Sequence, residues 1–407
     1  MNCRHCSYPL EHTFLDLGTA PPSNAYLSAE QLNHPEIYLP LKVLVCKHCW
    51  LVQTQDYSNA DDLFTSDYAY FSSTSTSWLK HAEIYCDRMI SELNLGPETL
   101  VLEIACNDGY LLKNFVTKNI PCFGVEPTES TAQSAKKLGI SVIQEFFSKR
   151  LGRRLAEQGQ LCDLIIGNNV YAHVPEINDF TAGLKLALKK NGVITLEFPH
   201  LMRLIAGSQF DTIYHEHFSY LSLNVVYQIF ANHGLRIWDV EELATHGGSL
   251  RIYACHDDDA RPTETSVQNI LSKELAFGLC KIGTYIKFQQ TVESIKNQLL
   301  EFLIENKSAG VKIVAYGAAA KGNTLLNFAG IHADLLPVVV DASKHKQNKY
   351  LPGSRIPIQD PSILTKIKPQ IVLILPWNIK TEIIKGHGYI ASWGGRFLTL
   401  QDIVKPN

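Results

Sequence analysis

Two histidines, a carboxylate and two phenols fall within seven residues at Tyr214-His215-Glu216-His217-Phe218-Ser219-Tyr220. So many ionisable and aromatic groups together make a poor core and a poor solvated face. Histidine titrates at about 6.5 when unperturbed, which suits general-base work near neutral pH, and a nearby carboxylate can hold its tautomer. His-x-His can also chelate a metal, although the remaining ligands of such a site are not apparent. His173, which follows Asn168 and Asn169, is a further candidate for the same cleft. A lone histidine is otherwise a structural residue.

Cys3-x-x-Cys6 and Cys46-x-x-Cys49 can present four thiolates to one zinc ion. Four protein ligands close the tetrahedral shell, so the predicted site is structural. His5 and His48 lie inside the knuckles and could each replace a thiol. Paired disulfides or a thioredoxin-like redox motif fit less well, since no secretory signal precedes Cys3 and no strand-helix unit surrounds either pair. Cys86, Cys106, Cys122, Cys162, Cys255 and Cys280 are scattered singly, the pattern of reduced thiols in a cytoplasmic protein. At 407 residues and a net charge of −3, the chain suggests two to three domains. It carries no basic stripe for nucleic acid and no apolar run of the roughly 20 residues that span a bilayer.

The elements that position these residues are legible from period and punctuation. A hydroxyl-rich stretch, Asp67 to Ser75, reads as a loop, and a helix is predicted from Trp78 to Leu95, stopped at Gly96-Pro97. Strands are predicted at Thr99–Ile104, Cys122–Val125 and Cys162–Gly167, alternating with helices as in a doubly wound parallel sheet. Ligands bind at the carboxyl ends of such strands. That places Glu103, Asn107, Gly109, Glu126, Asn168 and Asn169 around one site. Only Gly109 is present where a dinucleotide fold uses three glycines, so pyrophosphate is poorly served. Glu126 can accept from ribose hydroxyls, and the set fits S-adenosylmethionine better than NAD. Phe146-Phe147 could stack on adenine or belong to the core. A helical stretch from Val267 to Glu305 leads to a second α/β unit, with strands at Val311–Tyr316, Leu336–Asp341 and Ile371–Leu375. Its turn, Gly317-Ala318-Ala319-Ala320-Lys321-Gly322-Asn323, suits an anion at a helix start, or simply packs helix on strand.

The knuckles, Tyr68-Ala69-Tyr70-Phe71, Glu103-Ile104-Ala105-Cys106-Asn107-Asp108-Gly109, Tyr214-His215-Glu216-His217, His246-Gly247-Gly248-Ser249-Leu250-Arg251 and Gly317 to Asn323 resemble the nucleotide-sugar C-methyltransferases of deoxysugar biosynthesis, in the same order along nearly the whole chain. The resemblance implies an α/β fold with a zinc-binding domain (1–75), a class I methyltransferase domain of Rossmann-like topology (76–290) and a smaller Rossmann-like domain that holds the nucleotide-sugar (291–407). It implies methylation at C3 of a nucleoside-diphosphate-linked 4-keto-6-deoxy sugar, with S-adenosylmethionine as donor and zinc as a structural ion. His217 would be the base, Tyr214 would bond the C4 oxygen, Glu216 would position the cluster, and His173 with Tyr70 or Tyr68 would line the sugar. Phe147 would join the donor site, and Gly317, Lys321, Asn323 and Lys346 the substrate site. Two departures are evident. Ala105 and Asn348 stand where the family favours glycine. The rival readings are a nicotinamide-dependent nucleotide-sugar oxidoreductase and a zinc-knuckle binding protein without catalysis.

Overall fold

The computed structural model describes residues 1–57 and 72–404. The knuckles flank an antiparallel sheet of β1 (His12–Ala20), β2 (Leu39–Val45) and β3 (Val52–Thr54). Leu41, Val43 and Val45 recur at the two-residue strand period and are buried, while Lys42 between them is not. The chain then enters helix α1 (Thr76–Glu92), whose Ser75 hydroxyl accepts the Trp78 N–H at 3.3 Å. Ala82, Tyr85, Cys86 and Met89, spaced three and four apart, form its buried stripe.

The middle sheet contains β4 (Val101–Ile104), β5 (Cys122–Val125), β6 (Ser141–Ile143), β7 (Cys162–Asn168) and β8 (Leu188–Pro199). β9 (Ser219–Tyr220) pairs with β3, Tyr220 opposite Val52, so the end of the crowded segment at 214–220 becomes the fourth strand of the N-terminal sheet. β10 (Leu235–Leu243) and β11 (Ser249–His256) complete a seven-stranded order of β10-β11-β8-β7-β4-β5-β6. β11 alone runs antiparallel.

The predicted helical stretch Val267–Glu305 is interrupted. It forms Thr265–Phe277, Ile282–Ile286 and Phe288–Ser308, because Gly278 adopts a left-handed φ of 95° and ends the first helix. The C-terminal sheet of β12 (Ile313–Tyr316), β13 (Val339–Val340), β14 (Ile358–Gln359), β15 (Ile371–Ile374) and β16 (Arg396–Leu398) is wholly parallel, in the order β14-β13-β12-β15-β16.

The hydrophobic cores cross these sheets. Cys3, Cys46, Cys49 and Leu51 pack into the same core as Phe180, Leu184 and Phe230 on one face of the middle sheet. Phe14, Leu15 and Val43 of the N-terminal sheet share a second core with Tyr285, Phe288, Leu326 and Leu373. Burial therefore fixes the three parts against one another.

Candidate active site

β4, β5 and β7 are neighbours and parallel, so the turns after Ile104, Val125 and Asn168 open at one edge. The turn after β4 places Ala105, Asn107 and Gly109 at φ values of 56°, 51° and 81°. At Gly109 a Cβ would lie 2.5 Å from Ile140 Cδ1, so only glycine serves both the backbone and the packing. Glu126 accepts the backbone N–H groups of Asn107 and Thr128 at 2.9 and 3.0 Å, which ties the two turns together. Glu103 Oε2, Asp108 Oδ1, both amide atoms of Asn168 and Oδ1 of Asn169 are buried without a partner among the described residues. Burial pushes the carboxyls of Glu103 and Glu126 upward, and Glu103 is raised further by the charges of Asp108 and Glu126. Such a cleft suits a cationic ligand with hydroxyls to donate. The sulfonium, ammonium and ribose of S-adenosylmethionine match it, whereas an anionic diphosphate does not.

Two expectations are corrected here. Phe147 packs edge-to-face on Phe180 at 5.2 Å and lines the core, leaving Phe146 as the exposed ring. Asn323 is buried, its Nδ2 donating to the Ser23 carbonyl at 2.5 Å, and so fastens the N-terminal domain instead of facing substrate. Gly322 makes room for the Leu375 side chain, which serves helix-on-strand packing. Of the two glycine departures, Ala105 has φ 56° and Asn348 φ 63°, both in the left-handed region that favours glycine. Relieving Ala105 as Ala105→Gly should stabilise the fold by about 1 kcal/mol, read as a raised urea midpoint at unchanged m-value.

The segment at 214–217 is a turn closed by the His217 N–H on the Tyr214 carbonyl at 3.0 Å. Tyr214 and His217 rings lie 4.0 Å apart, and the His173 ring stands 4.6 Å from His217. His217 Nδ1 donates to the Thr212 carbonyl at 2.9 Å, which leaves the lone pair on Nε2. His173 Nδ1 donates to the Glu216 carbonyl at 2.8 Å. Both oxygens of the Glu216 carboxylate accept from Asn24 Nδ2, at 2.8 and 2.9 Å. Thr54 Oγ1 donates to the His217 carbonyl at 3.2 Å, and His215 Nε2 donates to the Leu39 and Pro40 carbonyls. The N-terminal domain thus holds the turn at three points. Tyr68 and Tyr70 lie outside the described residues.

The C-terminal turn faces this pocket. Gly317 has φ 95°, and a Cβ there would lie 2.3 Å from Pro376 Cδ. Lys321 Nζ bonds Asn378 Oδ1 at 2.8 Å and sits 4.6 Å over the Trp377 ring. Trp377 Nε1 donates to buried Asp211 at 2.7 Å. Burial raises Asp211 to about 6 and lowers Lys321. Lys346 Nζ and the Tyr26 hydroxyl both donate to the Ala318 carbonyl, at 2.9 and 2.6 Å. Asn24, Tyr26, Asp211, His246 and Trp377 had no role in the sequence reading. The His-Gly-Gly run was the one visible signal among them.

Burial also keeps the pocket histidines uncharged. It lowers His173 and His246 to about 4 and His217 well below 6.5, where His173 adds repulsion. Their folded pKa values lie below the unfolded one, so their stabilisation is complete above pH 6.5 and is lost as pH falls towards 4. Each of the two is worth up to about 3 kcal/mol across that window. Urea melts at pH 7 and 4.5 should show the loss, and a His173→Asn, His246→Asn double variant should show less of it.

The four knuckle sulfurs lie within 4.8 Å of one another, with Cys3–Cys49 at 3.5 Å and Cys6–Cys46 at 3.6 Å. A zinc ion with four bonds of about 2.3 Å requires sulfur separations of about 3.8 Å. The thiol set fits zinc. His5 is engaged by Asn178 and Asn232, and His48 stacks on Tyr8 at 5.5 Å, so neither replaces a thiol.

Three family models match consecutive parts of the chain: a zinc binding domain at residues 3–64, a methyltransferase domain at 78–240 and a C-methyltransferase C-terminal domain at 244–400. The C-methyltransferase NovU of Streptomyces niveus is 32% identical over 399 residues, which cover 97% of this chain and 94% of the relative. Among solved structures, magnesium protoporphyrin IX methyltransferase of Synechocystis with bound S-adenosylmethionine is 15% identical, covering 44% of this chain and 79% of its own at a TM-score of 0.34. A methyltransferase of Clostridium acetobutylicum is 13% identical, covering 44% and 92% at a TM-score of 0.36.

Proposed function

The chain belongs to a family of C-methyltransferases that use S-adenosylmethionine, and we propose that its acceptor is C3 of a 4-keto-6-deoxy sugar carried on a nucleoside diphosphate. The observation that carries this reading is His217. Its Nδ1 is pinned to a backbone carbonyl and its ring is neutral, beside a phenol and at the edge where the donor strands end. A 4-keto group acidifies the neighbouring C3 proton, which His217 Nε2 takes. Tyr214 bonds the C4 oxygen as negative charge gathers there, an effect worth about 3 kcal/mol per donor. When bound, S-adenosylmethionine supplies the electrophilic methyl that C3 attacks. Glu216, locked by Asn24, holds the turn, and His173 lines the sugar. Gly317 and Lys321, with Lys346 behind the turn, are assigned to the diphosphate.

The same reading divides the chain at 1–75, 76–290 and 291–407 and puts the enzyme in the cytoplasm, in a deoxysugar pathway. No helix among the described residues is long and apolar enough to cross a membrane. The test is mass spectrometry of a panel of 4-keto-6-deoxy sugar nucleotides incubated with S-adenosylmethionine in deuterium oxide. One methyl gained on one of them supports the assignment. Deuterium at C3 without methylation would show a working base and the wrong sugar, and neither signal on any sugar overturns the reading.

A further inference from the structure

His246 lies in left-handed backbone, φ 53° and ψ 22°, and is followed by Gly247 at φ 89° and Gly248 at φ 118°. A residue with a Cβ persists in that region when its surroundings over-determine it, and such strain gathers at functional sites. Here the surroundings do so. Thr245 Oγ1 donates to Glu197 Oε1 at 2.8 Å, Gln209 Nε2 to the Gly247 carbonyl at 2.9 Å and Ser249 Oγ to the Thr245 carbonyl at 3.0 Å. Glu197 is fully buried. Burial raises its pKa, but the bond from His81 and the charge of Arg251, each at 2.9 Å, bring it down to about 2. On the other side Trp377 abuts Gly247, where a Cβ would lie 2.3 Å from Cη2.

All this fixes one imidazole. Its Nε2 accepts from Asn169 Nδ2 at 3.2 Å, and Trp78 meets the ring at 5.2 Å. With Nε2 accepting, the ring proton sits on Nδ1 as a donor. The ring is neutral, and the charges acting on it most belong to Lys321, Glu197, His81 and His173. It also bears on His217. Of these, His173, His217 and Lys321 are the groups assigned above to the acceptor, while Asn169 ties the ring to the edge of the donor cleft.

We propose that His246 is a third imidazole of the acceptor pocket, donating from Nδ1 to an oxygen of the sugar and so selecting which sugars are accepted. The proposal rests on the keto-sugar reading above. Its test compares His246→Gly, which relieves the backbone, with His246→Asn, which tolerates left-handed backbone and keeps a short donor near Nδ1. His246→Gly should melt no lower than wild type and bind S-adenosylmethionine with unchanged Kd by calorimetry. Its kcat/KM for the sugar nucleotide should fall about 30-fold, as expected for a lost buried hydrogen bond. His246→Asn should recover part of that loss. A His246→Gly enzyme with wild-type kcat/KM overturns the proposal, as does an equal loss of donor affinity, which would put the ring on the other substrate. If wild type methylates none of the panel, the keto-sugar reading fails and this proposal fails with it; an active wild type with an unaffected variant fails the proposal alone.

Discussion

His217→Asn should lower kcat for methyl transfer by about 1,000-fold while leaving the Kd for S-adenosylmethionine unchanged. Asparagine can still donate to the Thr212 carbonyl, the bond His217 makes through Nδ1, so the turn keeps its shape. It has no basic nitrogen in place of Nε2. Loss of rate with retained donor binding would therefore report chemistry and not folding. Exchange of the C3 proton with deuterium, measured without donor, should vanish in parallel. The pH profile follows from the same geometry. Burial holds the folded pKa of His217 well below 6.5, so its imidazole is unprotonated at neutral pH, and if it is the base the acid limb of kcat/KM should lie well below pH 6.5. A variant that retains most of the wild-type rate, or an acid limb at pH 7, would remove His217 from the role.

Removal of zinc should be as damaging, although the metal site contains no substrate-facing group. Structural zinc sites contribute about 10 kcal/mol or more to folding, because the unfolded chain has no preformed site. Cys49→Ser, or prolonged chelation, should therefore unfold the sheet of β1, β2 and β3. That sheet supplies Thr54 to His217 and the Leu39 and Pro40 carbonyls to His215, and the connection between β1 and β2 supplies Asn24 to Glu216. Turnover should fall below detection as one equivalent of zinc is released to a colorimetric chelator. Donor affinity should fall far less, since Asn107, Glu126 and Asn168 stand at the ends of β4, β5 and β7 and in the turns that follow them. Full activity in a zinc-free enzyme would show that the turn stands without its support.

The sequence exposed what is local. Knuckle spacing, the strand-turn-helix run through Glu103 to Gly109 and the crowded segment at 214–220 each carry their chemistry within a few residues. The doubly wound sheets followed from alternation and punctuation. Long-range partners were not legible, because nothing near Asn24 or Trp377 announces a contact some 190 or 130 residues away. Phe147 and Asn323 were misjudged for the same reason. A strand end or a helix start places a residue near a site, but the opposing surface decides where its side chain turns. Left-handed backbone at Ala105 and Asn348 was hinted at only by the glycine expected at each.

The pairing of β9 with β3 also sets the unit of inheritance in this protein. Residues 1–75 look like a detachable module on a linear map. In space β3 takes its partner from residues 219–220, and the segment just before them rests on Asn24 and Thr54. A chimera that exchanges the zinc-binding end between relatives must carry the 213–220 segment with it. A cut at residue 75 alone would mate a foreign β3 to this β9 and leave His217 and its turn resting on carbonyls and amides selected for another enzyme.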